Sequence, residues 1–151
     1  MGRYTITTEG AEALGAATLE TLLQVRGTTT QKIAVVGYGL SCDGTSATAV
    51  PGIVRVLRQT TDGTATGATE VRKDPDLPAA AFTGFHSFSA EPTPGEVLHT
   101  HHVHPQTGLE LPNVWLPGDG IILDDATSSR VAIDATFAAA VNVVAWMEIV
   151  Q

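Results

Sequence analysis

Cysteine is almost missing from this sequence: Cys42 is the only one in 151 residues. No disulfide can form within the chain, and the apolar run around Cys42 predicts a small buried hydrophobe. Basic residues are nearly missing from the second half. Residues 1–75 hold seven acidic and seven basic residues, whereas residues 76–151 hold nine acidic residues against Arg130 alone. The formal charge of -8 sits in that half. Phosphate recognition needs clustered Lys and Arg, so nucleic acid is not an expected partner there; a basic or neutral protein surface, or plain solubility, suits the charge better. No apolar run reaches membrane-span length, and Met1-Gly2-Arg3-Tyr4-Thr5-Ile6-Thr7 lacks the apolar core of a signal peptide. A soluble protein used without export, with no membrane partner, is expected. Ser41-Cys42-Asp43 and the many threonines offer nucleophile types with no base motif beside them. Asp124-Asp125 reads as a solvated turn, and no glycine-rich phosphate cradle is present. Catalytic residues and a cofactor are therefore not expected, and Trp115 and Trp146 are read as core or interface anchors.

What the sequence has is a period of two. In Arg130–Phe137 the residues Val131, Ile133, Ala135 and Phe137 fall on one parity, with Arg130, Asp134 and Thr136 on the other. This is a strand with one dry and one wet face. The closing segment repeats the rule, with Val143, Ala145, Met147 and Ile149 on one side and Asn142, Trp146 and Glu148 on the other. Breaker clusters at Pro117-Gly118-Asp119-Gly120 and Asp124–Ser129 separate these runs.

Upstream, strands are expected over Arg3–Thr8, Thr18–Gly27, Gln31–Cys42, Val50–Thr61, Phe82–Ala90 and Glu96–His104. A loop or one loose helical turn is expected at Glu9–Ala17, and loops at Asp43–Ala49 and over the long stretch 61–80. Ile33, Ala34, Val35 and Val36 are apolar on both parities, which predicts a strand covered on both faces. The chain thus reads as one all-β domain over 1–151, an antiparallel two-sheet sandwich of jelly-roll-like layout with eight to ten short strands. Its length allows roughly 70% of the unfolded surface to be buried. Residues 1–17 are a candidate N-terminal arm, and 61–80 a candidate loop for reaching a neighbour.

Four of the five histidines lie in Leu98-His99-Thr100-His101-His102-Val103-His104. On a strand His99 and His101 share one face and His102 and His104 the other, so each pair could chelate a divalent metal. A site of two histidines alone would bind weakly, so exposed or interface histidines making hydrogen bonds, and no metal site, are expected. Such a cluster would gain charge below about pH 6.5 and attract the acidic half of a neighbour. Gly95 followed by His99-Thr100-His101, with Pro117-Gly118-Asp119 downstream, resembles the cupins, jelly-roll proteins that hold a metal with a His-x-His pair, a glutamate and a later histidine. Here the nearest following glutamate is Glu110, and no histidine follows Pro117.

A second resemblance covers most of the chain. The Met1–Thr7 opening, the strand Ile33–Leu40, Val54-Arg55-Val56-Leu57-Arg58 before a Thr/Gly-rich loop, Leu109-Glu110-Leu111-Pro112 and the closing Val143–Ile149 are similar in order to small β-sandwich virion proteins of tailed bacteriophages, the minor capsid and decoration class. The resemblance is one of layout and composition. It implies a non-enzymatic structural protein, a homotrimer on the capsid surface, assembled in the host cytoplasm and reinforcing the major capsid protein lattice. A tail-associated or host-surface binding virion module shares the layout. Low charge and abundant Ala, Thr, Val and Gly suit such a chain, which buries surface against copies of itself or a lattice.

Overall fold

The computed structural model describes residues 2–43, 50–111 and 120–151, with Glu110 and Leu111 described by their backbone. The expected loop beyond Asp43, together with Trp115 and the Pro117-Gly118-Asp119 turn, lies outside the described residues. Among the described residues there is no helix, and none is long and apolar enough to cross a membrane.

Two antiparallel sheets pack face to face. The seven-stranded sheet contains β1 (Arg3–Thr7), β2 (Glu12–Leu14), β4 (Ile33–Cys42), β7 (Val71–Arg72), β10 (Gly108–Leu111), β11 (Ile121–Leu123) and β13 (Val141–Val150). Its path is β10-β4-β13-β1-β7, with β11 also paired to β4 and β2 to β13. The six-stranded sheet runs β6 (Thr64–Ala68), β8 (Thr83–Ala90), β3 (Glu20–Arg26), β12 (Arg130–Thr136), β5 (Gly52–Gln59) and β9 (Pro94–Val103). Most connections pass from one sheet to the other, so neighbours within a sheet are rarely consecutive in sequence. The thirteen strands among the described residues exceed the eight to ten expected because β2, β7 and β11 have only three, two and three residues. A period of two cannot declare itself over so short a run.

The alternating residues of β12 and β13 do what their parity demands. Val131, Ile133, Ala135, Val143, Ala145, Met147 and Ile149 are all 0% exposed and meet Tyr4, Ile6, Leu23, Val25 and Val54 between the sheets. Each of the valine, isoleucine and methionine side chains among them contributes about 1.5–3 kcal/mol of burial, the alanines less. Apolar residues on both parities of β4 have a local cause. The register with β13 shifts between Glu148 and Ile149, so Val35 and Gly37 are paired while Val36 sits in a bulge.

Three expectations fail. Residues 1–17 are no arm: β1 lies between β13 and β7, and Tyr4 and Ile6 are fully buried. Glu9–Ala17, expected as a loop, contains β2. The stretch 61–80 is not a loose loop either, since it contains β6 and β7. It is tied back to its own body by the Tyr4 hydroxyl donating to Pro78 O at 2.9 Å, Gly84 N–H donating to Glu70 Oε1 at 3.0 Å, and Leu77 packed on the core. β2 and β7 are too short to alternate, and β6, Thr-Ala-Thr-Gly-Ala, holds no large hydrophobe whose alternation could be read.

The face of β12 expected to be wet is also covered. Ala132 is 0% and Asp134 2% exposed. The short connections 60–63 and 91–93, which lead from β5 to β6 and from β8 to β9, are hydrogen-bonded to each other: Thr60 N–H donates to Thr93 O at 3.0 Å and Thr93 N–H to Thr61 Oγ1 at 2.7 Å. They are tied to the outer surface of the six-stranded sheet and leave a polar layer beneath them. There Gln59 Nε2 donates to Thr21 Oγ1 at 3.1 Å, and Thr21 N–H donates to Glu91 Oε2 at 2.9 Å. Burial raises the Glu91 carboxyl above its usual range, against the hydrogen bond from Thr21.

Candidate functional site

The histidine strand β9 is an edge strand, paired only to β5 among the described residues. Its register sets His99 opposite Val56 and His101 opposite Val54, two fully buried valines, so both imidazoles turn toward the other sheet. There they meet Tyr38 of β4. The Tyr38 hydroxyl and His101 Nε2 are 3.0 Å apart, a hydrogen bond across the sandwich. The two imidazole rings lie nearly parallel, 6.3 Å between centroids, with Tyr38 6.2 Å from His99 and 6.0 Å from His101.

The sequence thus located the His99–His101 pair correctly. The second pair does not form as a strand pair: His102 points outward, whereas β9 ends at Val103 and His104 Nδ1 accepts the Gln106 N–H at 3.2 Å. Among the described residues no group of three or more His, Cys, Asp or Glu could hold a metal. The glutamate and later histidine that the cupin resemblance implies have no described counterpart beside His99 and His101.

Burial pushes the Tyr38 phenol up to about 12. Burial also lowers His101, and the neighbouring His99 lowers it further. The folded protein therefore takes up this proton at a lower pH than the unfolded chain does. Stability linked to His101 is fully present above the unfolded imidazole value, roughly 6.5, and is lost as pH falls below it. Urea unfolding between pH 5 and pH 7.5 should show stability rising with pH, with a smaller slope in His101→Gln. An unchanged slope would remove His101 from the account.

Sequence reading passed over the fifth histidine. His86, on β8, one strand in from the opposite end of the six-stranded sheet, is 8% exposed. Its Nδ1 lies 3.1 Å from Glu12 Oε1 and 2.8 Å from Ser87 Oγ, while Ser87 donates to the same Glu12 oxygen at 2.5 Å. His86 Nε2 is buried without a hydrogen-bond partner, 3.9 Å from Glu9 Oε2. Ser87 holds φ 50 to make this arrangement. The cluster has serine, histidine and carboxylates, yet Ser87 and Glu12 share one ring nitrogen instead of flanking the ring. A relay from serine through the ring to an acid is not assembled. It is a clasp: Glu9 and Glu12 belong to the β1–β2 region of one sheet and His86 to the other, matching the Tyr38–His101 bond at the opposite edge. The only signal in the sequence was the parity of Phe82, Gly84, His86 and Phe88.

Among the described residues none is hydrogen-bonded as a base to Ser41 or Cys42. Cys42 is half-buried, not fully buried as expected, because β4 ends there; burial, then the adjacent Asp43, pushes its thiol up to about 11. Asp124 is exposed and paired with Lys32 at 3.3 Å, as a turn carboxylate should be. Trp146 lies on the outer face of the seven-stranded sheet, half-buried across Gly39. A Cβ at Gly39 would fall 2.7 Å from its ring, so the glycine is what lets the indole lie flat. Compared with models of known families and with curated proteins, the sequence matches none.

Proposed function

We propose that this protein is a non-enzymatic structural protein of a virion, a decoration or minor capsid protein that acts as a homotrimer on the major capsid protein lattice. One observation carries the reading: past Pro94, Glu96 and two register shifts in its first half, β9 runs regularly from His99 to Val103 with a backbone edge that no described strand pairs and with neither Lys nor Arg on it. Sandwich proteins that work alone usually blunt such an edge with lysine or cover it, because unpaired N–H and C=O groups recruit further strands. Exposed apolar side chains lie near it, Val97 at 43% and Ile53 at 43%. A rigid body with a sticky edge suits repetitive assembly, where modest contacts add through multivalency.

The test is assembly state and lattice binding. Size-exclusion chromatography with light scattering should give three times the 15.7 kDa chain mass, and the protein should co-sediment with empty capsid shells. Val97→Lys with Thr100→Lys, both at exposed positions, should release it from both. A wild-type chain that stays monomeric and binds no shell overturns the reading. Binding to tails or host cells in place of shells would favour the tail-associated or host-surface module. The cupin-like alternative rests on the parallel His99 and His101 rings; it would gain from stoichiometric metal that is lost in His99→Ala with His101→Ala.

A further inference from the structure

The six-stranded sheet ends in two strands, β6 and β9, and the two match. A row of paired residues crosses the sheet from Gly67 of β6 through Phe85, Gln24, Ala132 and Leu57 to Val97 of β9. The neighbouring row runs from Thr66 through His86, Leu23, Ile133 and Val56 to His99. Ladder hydrogen bonds lie across antiparallel strands, so the two ends of such a row stand at one height. Every pairing in the sheet is antiparallel and the strands number six, so β6 and β9 run in opposite directions.

Neither end strand carries Lys or Arg. β6, Thr-Ala-Thr-Gly-Ala, has no charged residue and no proline, and it pairs only β8 among the described residues. A Cβ at Gly67 would meet nothing within 4 Å. The two ends differ in chemistry. Between Glu96 and Glu110 the β9 end has four histidines and no acid. Toward the β6 end Glu12, Glu20 and Glu91 line an open groove beside β8, and Glu20 shares a row with Ala135, Val54 and His101. Imidazole donors at one end thus stand level with carboxylate acceptors toward the other. A ring of three needs a contact in which two different patches of one chain meet. We propose that copies of this chain join head to tail through the six-stranded sheet, β9 of one lying antiparallel beside β6 of the next. Rotation about an axis along the strands brings these edges together, level and oppositely directed, and continues the ladder across the contact. This contact is the interface of the trimer proposed above and rests on that reading.

Two variants with complementary lesions test it. Gly67→Lys puts a charge on the β6 edge, at the far end of the sheet from Val97→Lys with Thr100→Lys on β9. By light scattering the wild type should have three chain masses and each variant alone one. Mixed in equal amounts at high concentration, the two variants should pair, because each keeps one intact edge. Backbone amide NMR, with one variant labelled at a time, should show shifts at β6 of the β9 variant and at β9 of the β6 variant only on mixing. Thr66→Lys, at an exposed position, takes the place of Gly67→Lys if circular dichroism shows that variant unfolded. A β6 variant that stays trimeric, or a mixture without these shifts, overturns the head-to-tail contact while a trimeric wild type still stands. A monomeric wild type overturns the trimer reading and the contact with it.

Discussion

Arg55→Ala should lose about 3–5 kcal/mol of unfolding free energy, the cost of leaving a buried charge unpaired. Arg55 Nε and Nη2 donate to Asp134 Oδ1 and Oδ2 at 2.9 and 2.6 Å, a two-pronged pair on the covered face of the six-stranded sheet. The partners are unequally buried: the Arg55 side chain is 26% exposed, Asp134 only 2%. Removing the arginine strands the carboxylate beneath the 91–93 connection, where Glu91 also sits close enough to repel it. Removing the carboxylate leaves an arginine that can still turn to water. Asp134→Ala should therefore cost less, about 2 kcal/mol, and the order of the two is the discriminating result. Urea denaturation of both variants measures it. Because a domain of this kind holds about 5–15 kcal/mol in all, Arg55→Ala should melt far below wild type. If Asp134→Ala proves the more damaging, the covered polar layer is not a dry environment.

Gly52→Ala should destabilise by about 2–3 kcal/mol, near the upper end of overpacking costs. A methyl at Gly52 would overlap the Phe137 ring directly, and that ring is 1% exposed with no room to swing aside. Gly52 opens β5 opposite Val103, so the ring closes the core where strands of both sheets end. The cause can be isolated by a second change. Phe137→Leu alone should cost about 1–2 kcal/mol through lost packing, yet in the Gly52→Ala background it should restore stability. A double-mutant cycle giving simple additivity would show that the glycine is needed for some other reason.

The sandwich itself was legible because burial on one side of a strand writes a period of two into the residues. Val131–Phe137 and Val143–Ile149 show it, and their dry parities are the ones the structure buries. The His99–His101 pairing followed from the same rule. Where an element has two or three residues, as in β2 and β7, or is built of Thr, Ala and Gly, as in β6, no alternation exists to be read. Such segments read as loop and arm. His86 was overlooked because its partners, Glu9 and Glu12, are more than seventy residues away in sequence.

From the residues alone one learns that this chain makes antiparallel strands, that they need a second sheet, and that its acidity lies in one half. Tertiary structure alone decides what covers each face. The connections 60–63 and 91–93 turn the polar side of β12 into an interior layer, Tyr38 and Glu12 find their histidines across the sheets, and Arg130 joins cations from the other half of the chain. The physical reason is that parity is a local property of a strand, whereas burial and charge pairing depend on distances between segments that only closure of the sandwich brings together.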